Sequence, residues 1–345
     1  MLTSSSVTPE SAQRPLFLGI DVGGTSIKLG VVDDRGRPLA HTKVPTEEEQ
    51  GPQQAVRRAR VAVDEMLAEL GLAIGDLAAI GLATPGTMDL VKGIFLQPHN
   101  LPHWHYFPIR DSVAEAFGLP TSFANDANAA AYGEFWVGTG QKFGSIVMLT
   151  LGTGVGGGII IGDLSVDGEH SHGSECGHII VDSSPGARLC GCGQPGHLEA
   201  YCSATALVKR TEELLATGRA SSLASRVTDD EPLTALMIDE EADQGDPLAN
   251  EVIFELGTWL GLGCVTLMHT IDPGAVILGG AMNFGGADDP TGRRFLEHVR
   301  GVVRQHAFPI PAQRTSIDFA ALAGDAGFIG AAGIARLDFH RQAKA

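Results

Sequence analysis

A group of thiols and imidazoles lies in the middle of this 345-residue chain. Cys190 and Cys192 are separated by one glycine, and turns of this kind let two thiolates fold around one ion. His178 and His197 would complete a tetrahedral Cys2His2 set for zinc. Two alternatives for the fourth ligand lie nearby, Cys176 and Cys202. A cluster of small buried cysteines without a metal is the other interpretation, but in a chain without a secretory signal such a cluster favours metal binding over disulfides.

Two glycine turns, each after an apolar run, are the second candidate for chemistry. Their sequences are Asp21-Val-Gly23-Gly24-Thr25 and Leu151-Gly152-Thr153-Gly154. Backbone N–H groups in such turns can converge on an anion because no Cβ stands in the way. The second turn also matches G-x-G-x-x-G, but that dinucleotide fingerprint needs a helix after the glycines, and an apolar strand-like run follows here. One such turn alone favours a plain β-turn, whereas two turns of the same pattern favour a bound polyphosphate.

A carboxylate, Asp126, lies where a predicted strand gives way to an alanine-rich helix. Aspartate at such a position is typical of a helix N-cap, since its carboxylate accepts free backbone N–H groups. A carboxylate beside a phosphate site can instead orient the nucleophile in phosphoryl transfer. Asp21, at the end of the first glycine-flanked strand, is the other acid near the predicted phosphate site.

The elements that must position these residues alternate between strands and helices, which is typical of an α/β protein. Apolar runs predict strands at 16–21, 26–32, 77–82, 145–151, 157–161 and 275–278. Helical spacing predicts helices at 52–70, 203–216, 248–270 and 292–305. The sequence strand, glycine turn, strand occurs twice, and this repeat predicts two related domains with a cleft between them.

Composition excludes several functional classes. Lys and Arg total 24 against 41 Asp and Glu, and the net charge of −17 argues against a nucleic-acid or anionic-membrane binder. The chain is 43% hydrophobic and 19% charged, as expected for a globular protein. No apolar run reaches the ~18 residues of a spanning helix. The Ser-rich residues 1–15 lack the apolar core of a secretory signal, so we expect a disordered tail and a cytoplasmic location.

Three segments together resemble the phosphate-1, phosphate-2 and adenosine segments of the actin, sugar-kinase and heat-shock-70 superfamily: Asp21 to Lys28, Leu151 to Gly158 and Ala275 to Gly280. Within it, the chain resembles the ROK (repressor, open reading frame, kinase) family from about Leu16 to about Gly333, and most of all its bacterial glucokinases. The resemblance implies a two-domain actin-like (ribonuclease H-like) α/β fold with an interdomain cleft. We expect a smaller domain of residues 16–124 plus 325–345, a larger domain of residues 125–324 with the zinc loop, and a homo-oligomer.

The resemblance also implies roles for the glycine turns and the acids. ATP would be the donor, with Mg²⁺ held in part by Asp21. Asp126 would be the general base that accepts the proton of the attacking sugar hydroxyl. Phosphate and adenosine contacts would come from Gly23, Gly24, Thr25, Lys28, Gly152, Thr153, Gly154, Gly279 and Gly280. For Lys28, a solvated strand residue is an equally good interpretation.

The implied sugar ligands are Asn100, Asn125, Asp126, Glu175, His178 and Glu199, with Gly86 in the adjoining Thr-Pro-Gly loop. Trp104, which ends the Asn100-Leu-Pro-His-Trp segment, is expected to pack rather than to stack on sugar. The ROK zinc signature C-x-C-G-x-x-G-C-x-E has a third cysteine where this chain has His197, so one thiolate is replaced by a neutral imidazole. His170 and His172 are expected in a solvated loop.

These residues predict ATP-dependent phosphorylation of a hexose, D-glucose above all. The run from Glu199 through Ser203-Ala-Thr resembles the glucokinase pattern and favours glucose over N-acetylated hexosamines. N-acetylmannosamine or N-acetylglucosamine kinase activity and a polyphosphate donor are the alternatives. A non-catalytic sugar-sensing regulator is a more distant one, because ROK repressors carry N-terminal DNA-binding helices and only about 15 residues precede the first strand here.

Overall fold

The computed structural model describes residues 7–98, 101–228 and 231–344. Within these residues the strands are β1 (Leu16–Val22), β2 (Ser26–Val32), β3 (Pro38–Pro45), β4 (Leu77–Thr84), β5 (Met88–Asp89), β6 (Ile94–Phe95), β7 (Thr121–Asn125), β8 (Ser145–Leu151), β9 (Val155–Ile161), β10 (Leu164–Ser165), β11 (Ala275–Gly279) and β12 (Ser316–Phe319). The helices are α1 (Pro52–Glu69), α2 (Ile109–Phe117), α3 (Asp126–Val137), α4 (Glu199–Cys202), α5 (Ala204–Ala216), α6 (Leu223–Arg226), α7 (Ala235–Asp243), α8 (Pro247–Ile271), α9 (Pro290–His306), α10 (Pro309–Arg314) and α11 (Ala326–Gln342). The predicted strands and helices are therefore present, with their ends shifted by a few residues.

The chain divides into two compact units. The first comprises the described parts of Met1–Lys142, Gly158–Ser174 and Ala321–Ala345, and the second comprises Phe143–Gly157 and Glu175–Ala320. The sequence placed the boundary at residue 124 and made the first domain the smaller. Instead, α3 belongs to the first unit because it packs against α11: a Cβ on Gly330 would lie 1.7 Å from the carbonyl oxygen of Ala129. With this helix and residues 158–174 included, the first unit is the longer one.

The sheet of the first unit has the strand order β3-β2-β1-β4-β7. β1 pairs antiparallel with β2 and parallel with β4, and β4 pairs parallel with β7. Successive residues of β1 face opposite sides, as the two-residue period of a strand requires. Leu18 and Ile20 join the core with α1 and α2, whereas Phe17 packs with Phe328 of α11. Both faces of this sheet are therefore covered by helices.

The segment before β1 departs from the expected disordered tail over its described part. Val7 N–H donates to the carbonyl of Pro38 at 3.0 Å, and Gln13 N–H donates to Asp33 Oδ2 at 3.0 Å. Val7 and Ala12 also pack against the core. These contacts hold the described part of the segment against the core, with hydrogen-bond partners from the turn after β2 and from the start of β3. Residues 1–6 lie outside the described residues.

The second sheet has the order β10-β9-β8-β11-β12, which repeats the order of the first sheet strand for strand. β8, β11 and β12 are parallel neighbours, and β10 pairs antiparallel with the end of β9. The two sheets thus share one strand order, as the prediction of two related domains requires, although β10 and most of β9 are grouped with the first unit.

Helix α8 is the central helix of the second unit. It is long and apolar enough to cross a membrane by length and composition, but 61% of its apolar window is buried inside the protein, as in a core helix. The close contact with α9 needs glycine, because a Cβ on Gly261 would lie 2.7 Å from Val302 Cβ. The glycines on α8 therefore serve helix packing.

Candidate active site

Two carboxylates occupy the same edge of the first sheet. Asp21 lies near the carboxyl end of β1, and Asp126 directly follows the carboxyl end of β7. The parallel strand β4 lies between them, with Asp21 opposite Ala83 and Ala83 opposite Ala124. Two strand spacings amount to about 10 Å. In open α/β sheets, ligands bind at this carboxyl edge.

The protonation of Asp21 depends on its surroundings. Burial, followed by the negative charge of Asp126, raises the pKa of Asp21 to about 6, although the positive charge of Lys28 acts in the opposite direction. Helix α11 is one cause of the burial, since a Cβ on Gly327 would lie 2.3 Å from Asp21 Oδ2. An acid held in this way near a second acid is suited to a cation, which would restore its charge.

Lys28 is tied to protein rather than left in solvent. Its ammonium donates to the carbonyl oxygen of Gly324 at 2.6 Å, just before α11. This contact fixes the start of α11 beside β2. The predicted phosphate contact of Lys28 stays a prediction.

The N-cap of α3 is Asn125, not Asp126. Asn125 Oδ1 accepts hydrogen bonds from the N–H groups of Ala127 at 2.9 Å and Asn128 at 3.4 Å. Asp126 is the first helical residue, and its Oδ1 accepts from the Ala127 N–H at 2.8 Å. Asn125 therefore supplies the cap of the helix. Asp126 places negative charge in the first turn, where the helix dipole favours it.

The first glycine turn, between β1 and β2, is held from both sides. Gly23 N–H donates to Ser26 O at 2.9 Å, which closes the turn. The fully buried Thr46 donates its hydroxyl to Gly23 O at 2.6 Å and its N–H to Thr25 O at 2.9 Å. With its carbonyl oxygens bonded inward, the exposed tip at Gly24 and Thr25 can present N–H groups to an anion.

The second glycine turn, between β8 and β9, is built in the same manner. Its carbonyl oxygens are bonded by α5: Ala204 N–H donates to Gly152 O at 2.8 Å, and Thr205 Oγ1 donates to Thr153 O at 2.9 Å. Thr153 is exposed at the tip. Both turns therefore direct carbonyl oxygens into the protein, as a phosphate-binding turn requires.

Two further glycines of the prediction have steric reasons to be glycine. Gly280, after β11, has φ of +92° and approaches β8 so closely that a Cβ would lie 2.2 Å from Leu151 O. Gly86 has φ of +86°, and a Cβ there would lie 2.7 Å from Pro98. Gly279 ends β11. The structure thus explains the backbone at these positions, and their nucleotide and sugar contacts stay predictions.

The predicted metal ligands converge in the second unit. One donor atom from each of His178, Cys190, Cys192 and His197 lies within 4.8 Å of all the others. His197 Nδ1 is 3.2 Å from Cys192 Sγ and 3.3 Å from His178 Nδ1, and His178 Nδ1 is 3.8 Å from Cys190 Sγ. Ligands 2.0–2.3 Å from a tetrahedral zinc ion are separated by roughly 3.3–3.8 Å. The donor set and its spacing therefore fit zinc, and each histidine presents Nδ1.

The alternative cysteines do not join this cluster. Cys176 and Cys202 are buried, and neither belongs to the group of converging donors. Burial, followed by the charge of Glu175, raises the pKa of Cys176 to about 12. Burial also raises the pKa of the Cys190 thiol to about 12, with Glu199 adding to the effect. Ligand thiols must lose their protons, and a bound cation supplies the charge that favours this loss.

Other predicted sugar ligands are distributed over short segments. Glu175 is exposed, with Oε2 3.9 Å from His178 Nε2, so this imidazole faces the cluster with Nδ1 and Glu175 with Nε2. Glu199 begins α4. Asn100 lies outside the described residues. His170 and His172 are exposed, and His172 Nδ1 lies 2.6 Å from His170 O.

Trp104 packs, as predicted. It is fully buried, its ring meets Phe95 edge-on at 5.8 Å, and its indole N–H donates to Glu48 O at 3.2 Å. His103 adds a salt bridge to Glu48 at 2.8 Å. Glu48, which the sequence reasoning did not single out, therefore anchors the segment after Asn100.

Sequence reasoning also missed a partly buried pair close to Asp126. Asn128 Nδ2 donates to Asp167 Oδ1 at 2.9 Å. The one available signal was an asparagine inside a run of alanines, a poor helix residue unless its side chain has a partner.

The fold and the site define a class: a two-domain, actin-like α/β protein of the sugar-kinase type. The sequence profile of the ROK family matches residues 17–337, and this chain belongs to that family. It is similar to a glucokinase of Streptomyces coelicolor, at 35% identity over 328 residues that cover 93% of this chain and 98% of the relative.

Two solved structures support the same placement. The ROK hexokinase from Thermus thermophilus superposes with a TM-score of 0.80 at 32% identity, covering 95% of this chain and all of that one. A ROK glucokinase from Streptomyces griseus, in complex with glucose and AMPPNP, has a TM-score of 0.71 at 34% identity over 94% of this chain and all of that one. More distant relatives are named N-acetylmannosamine kinase and xylose repressor, so family membership alone does not fix the activity.

Proposed function

We propose that this protein is an ATP-dependent hexose kinase that converts D-glucose to glucose 6-phosphate. The observation that carries the proposal is the pair Asp21 and Asp126 at one carboxyl edge of the first sheet. A kinase needs one acid that binds the cation and a second acid at the nucleophile. Burial raises the pKa of Asp21, whereas Asp126 is the first residue of α3, so the two carboxylates have different surroundings. The names of the similar glucokinases support glucose as the substrate.

Asp126 is the proposed general base. Its carboxylate would accept the proton of the sugar 6-hydroxyl as that oxygen attacks the γ-phosphorus and the bond to the β–γ bridging oxygen breaks. Phosphoryl transfer asks the protein mainly for positioning and charge stabilisation. Position 1 of α3 suits this role, because Asn125 caps the helix and Asp126 is held at its start.

The glycine turns would hold the donor. The exposed tips at Gly24-Thr25 and at Thr153 would bind phosphate oxygens through backbone N–H groups, with adenosine near Gly279 and Gly280. Mg²⁺, when bound, would neutralise developing charge on the transferred group. Asp21 would be the residue of this chain that helps to hold it.

The sugar would be bound by Asn100, Asn125, Glu175, His178 and Glu199, with Gly86 leaving room for the adjoining loop. Carboxylates and amides discriminate among sugars because a missing hydroxyl leaves them unpaired. The Cys/His cluster would bind one structural zinc ion. It would fix the segment from His178 to Glu199.

A coupled phosphorylation assay tests the proposal. Glucose, mannose, N-acetylmannosamine and N-acetylglucosamine would each be offered with Mg²⁺ and either ATP or polyphosphate. The proposal predicts the highest kcat/KM for glucose with ATP, by about tenfold, a difference of ~1.4 kcal/mol in transition-state binding. Preference for an N-acetylated sugar would contradict the assignment of glucose, and preference for polyphosphate would contradict the assignment of ATP. The absence of turnover with any pair of substrates would contradict the assignment as a kinase.

A further inference from the structure

Residues 166–174, here called the strap, connect β10 to the turn at Cys176–His178 and close upon themselves. Gly173 N–H donates to Asp167 O at 2.7 Å, and Ser174 Oγ donates to Val166 O at 2.8 Å. The closure is tight, because a Cβ on Gly173 would lie 2.2 Å from Val166 O. Ser171 and Ser174 also have positive φ values of 58° and 64°. A loop with this local strain holds its shape only if contacts outside it over-determine that shape.

One external contact of the strap is a partly buried hydrogen bond to α3. Asn128 Nδ2 donates to Asp167 Oδ1 at 2.9 Å, and Ser165 Oγ donates to the same oxygen at 2.8 Å. Asn128 is only 4% exposed, and its Oδ1 has no hydrogen-bond partner among the described residues. A buried amide costs stability unless its hydrogen bonds are made. Asn128 keeps one hydrogen bond through Nδ2 although its Oδ1 has none, in a helix where alanine would fit. We therefore infer that the bond to Asp167 has a function.

The strap has a second anchor in the same unit. Leu90 N–H donates to Ser171 Oγ at 3.1 Å, which ties the strap to the turn between β5 and β6. Asp167 and Ser171 thus fix the strap at two points, one on α3 and one on this turn.

The two residues of the Asn128–Asp167 bond belong to segments with different proposed roles. Asn128 lies two residues after Asp126 in the first turn of α3. The strap leads directly into Glu175, and the turn that follows ends at His178. A single charge-assisted hydrogen bond therefore links the helix turn of the proposed base to the segment that leads into two proposed sugar ligands.

We propose that Asn128 is a positioning residue for the sugar: through Asp167 it fixes the strap, from which the chain runs directly into Glu175 and on to His178. This proposal rests on the proposed function, because it assigns Asn128 to sugar binding. Neither Asn128 nor Asp167 is proposed to touch the reacting atoms.

Steady-state kinetics of four proteins test the proposal: wild type, Asn128→Ala, Asn128→Asp, and the exchange Asn128→Asp with Asp167→Asn. Loss of a hydrogen bond to a charged group changes an equilibrium by roughly tenfold or more. We expect Asn128→Ala and Asn128→Asp to raise the KM for glucose by at least about this factor, with the KM for ATP near the wild-type value. The exchange restores an amide donor facing a carboxylate, and we expect it to recover much of the glucose KM.

Asn250→Ala is the matched control. Asn250 in α8 also donates through Nδ2, to Ala242 O at 3.0 Å and Asp246 O at 2.9 Å, and its Oδ1 is likewise unpartnered. It belongs to a helix without proposed site residues, so its loss reports only the general cost of removing such an amide. Equal effects of Asn128→Ala and Asn250→Ala on the glucose KM, or no recovery in the exchange, would overturn the proposal.

Hydrogen exchange separates failure of this proposal from failure of the proposed function. Protection of the Gly173 N–H, which closes the strap, is expected to fall in Asn128→Ala and to persist in Asn250→Ala. If the wild type phosphorylates no sugar, the proposed function fails. The proposal that Asn128 fixes the strap is then judged by hydrogen exchange alone. Unchanged protection of the Gly173 N–H in Asn128→Ala would overturn that proposal.

Discussion

Glu199 Oε2 accepts a hydrogen bond from the backbone N–H of Val155 at 2.9 Å. Its other oxygen, Oε1, accepts from the Cys190 thiol at 3.2 Å. A single side chain therefore joins the second glycine turn to the Cys/His cluster, both within the second unit. The contact also explains a glycine of the turn, because a Cβ on Gly154 would lie 2.4 Å from Glu199 Oε2.

The first prediction concerns the metal. The wild-type protein is expected to hold about one zinc ion per chain, since four ligands of the usual types converge. Cys192→Ser replaces a thiolate with a poor zinc ligand and is expected to lose most of the metal and to lower the Tm. Elemental analysis and thermal unfolding on the same samples would measure both effects.

His172→Gln is the control for this prediction, because His172 is an exposed histidine of the strap outside the cluster. It should retain the metal, as should His197→Cys, which supplies a thiolate in place of an imidazole. Full zinc occupancy in Cys192→Ser would show that the cluster is not the zinc site.

The second prediction concerns the base. Asp126→Asn keeps the size of the side chain but removes the proton acceptor, and we expect kcat to fall about 10²- to 10⁴-fold, with glucose binding still measurable by calorimetry. Asp64→Asn, at an exposed position on α1, should leave kcat unchanged. More than about a tenth of wild-type kcat in Asp126→Asn, a barrier change below ~1.4 kcal/mol, would exclude Asp126 as the base.

The third prediction follows from the raised pKa of Asp21. In the folded protein the pKa is about 6 against an ordinary 3.8, so the folded state binds the proton more tightly and this group lowers stability as pH rises through that window. Asp21→Asn is therefore expected to raise the free energy of unfolding at pH 8 by on the order of 2 kcal/mol, and by less at pH 5. Denaturant titrations at the two pH values would measure the difference.

The same variant tests the role of Asp21 toward the cation. MgATP should raise the Tm of the wild-type protein, because a ligand that binds only the folded state stabilises it. Asp21→Asn should lose most of this shift. An equal gain in the free energy of unfolding at both pH values would contradict the raised pKa of Asp21. An undiminished Tm shift with MgATP would contradict its role in binding the cation.

The fourth prediction concerns the packing that places α3. Gly330→Ala would bring a Cβ to 1.7 Å from Ala129 O, so α11 and α3 must separate, and we expect a loss of about 1–3 kcal/mol in the free energy of unfolding. Gly301→Ala in α9 is the control, since the nearest atom to its Cβ would be Arg304 Nη2 at 3.8 Å. There the better helix propensity should stabilise by about 0.5–1 kcal/mol. Equal effects at the two positions would contradict the packing argument.

The local structure of this protein could be predicted from its amino-acid sequence. Strands, helices and glycine turns follow from hydropathy period and from turn residues, which act over a few positions. The convergence of the four side chains of the Cys/His cluster was also predictable, because they lie within a short segment whose residue types have few other uses. Family membership followed from the same short motifs.

Contacts between distant segments, by contrast, became known from the three-dimensional arrangement. Helix α11 buries Asp21 and so sets its pKa, although Gly327 is distant from Asp21 in sequence. Asn128 donates a hydrogen bond to Asp167, which lies 39 positions later in the chain. Helix α3 belongs to the first unit because it packs against a segment that is distant in sequence. Likewise, the cap of α3 falls to Asn125 instead of Asp126 through the backbone angles at the end of β7. Local preference selects the elements, but packing and desolvation depend on neighbours that no sequence window contains.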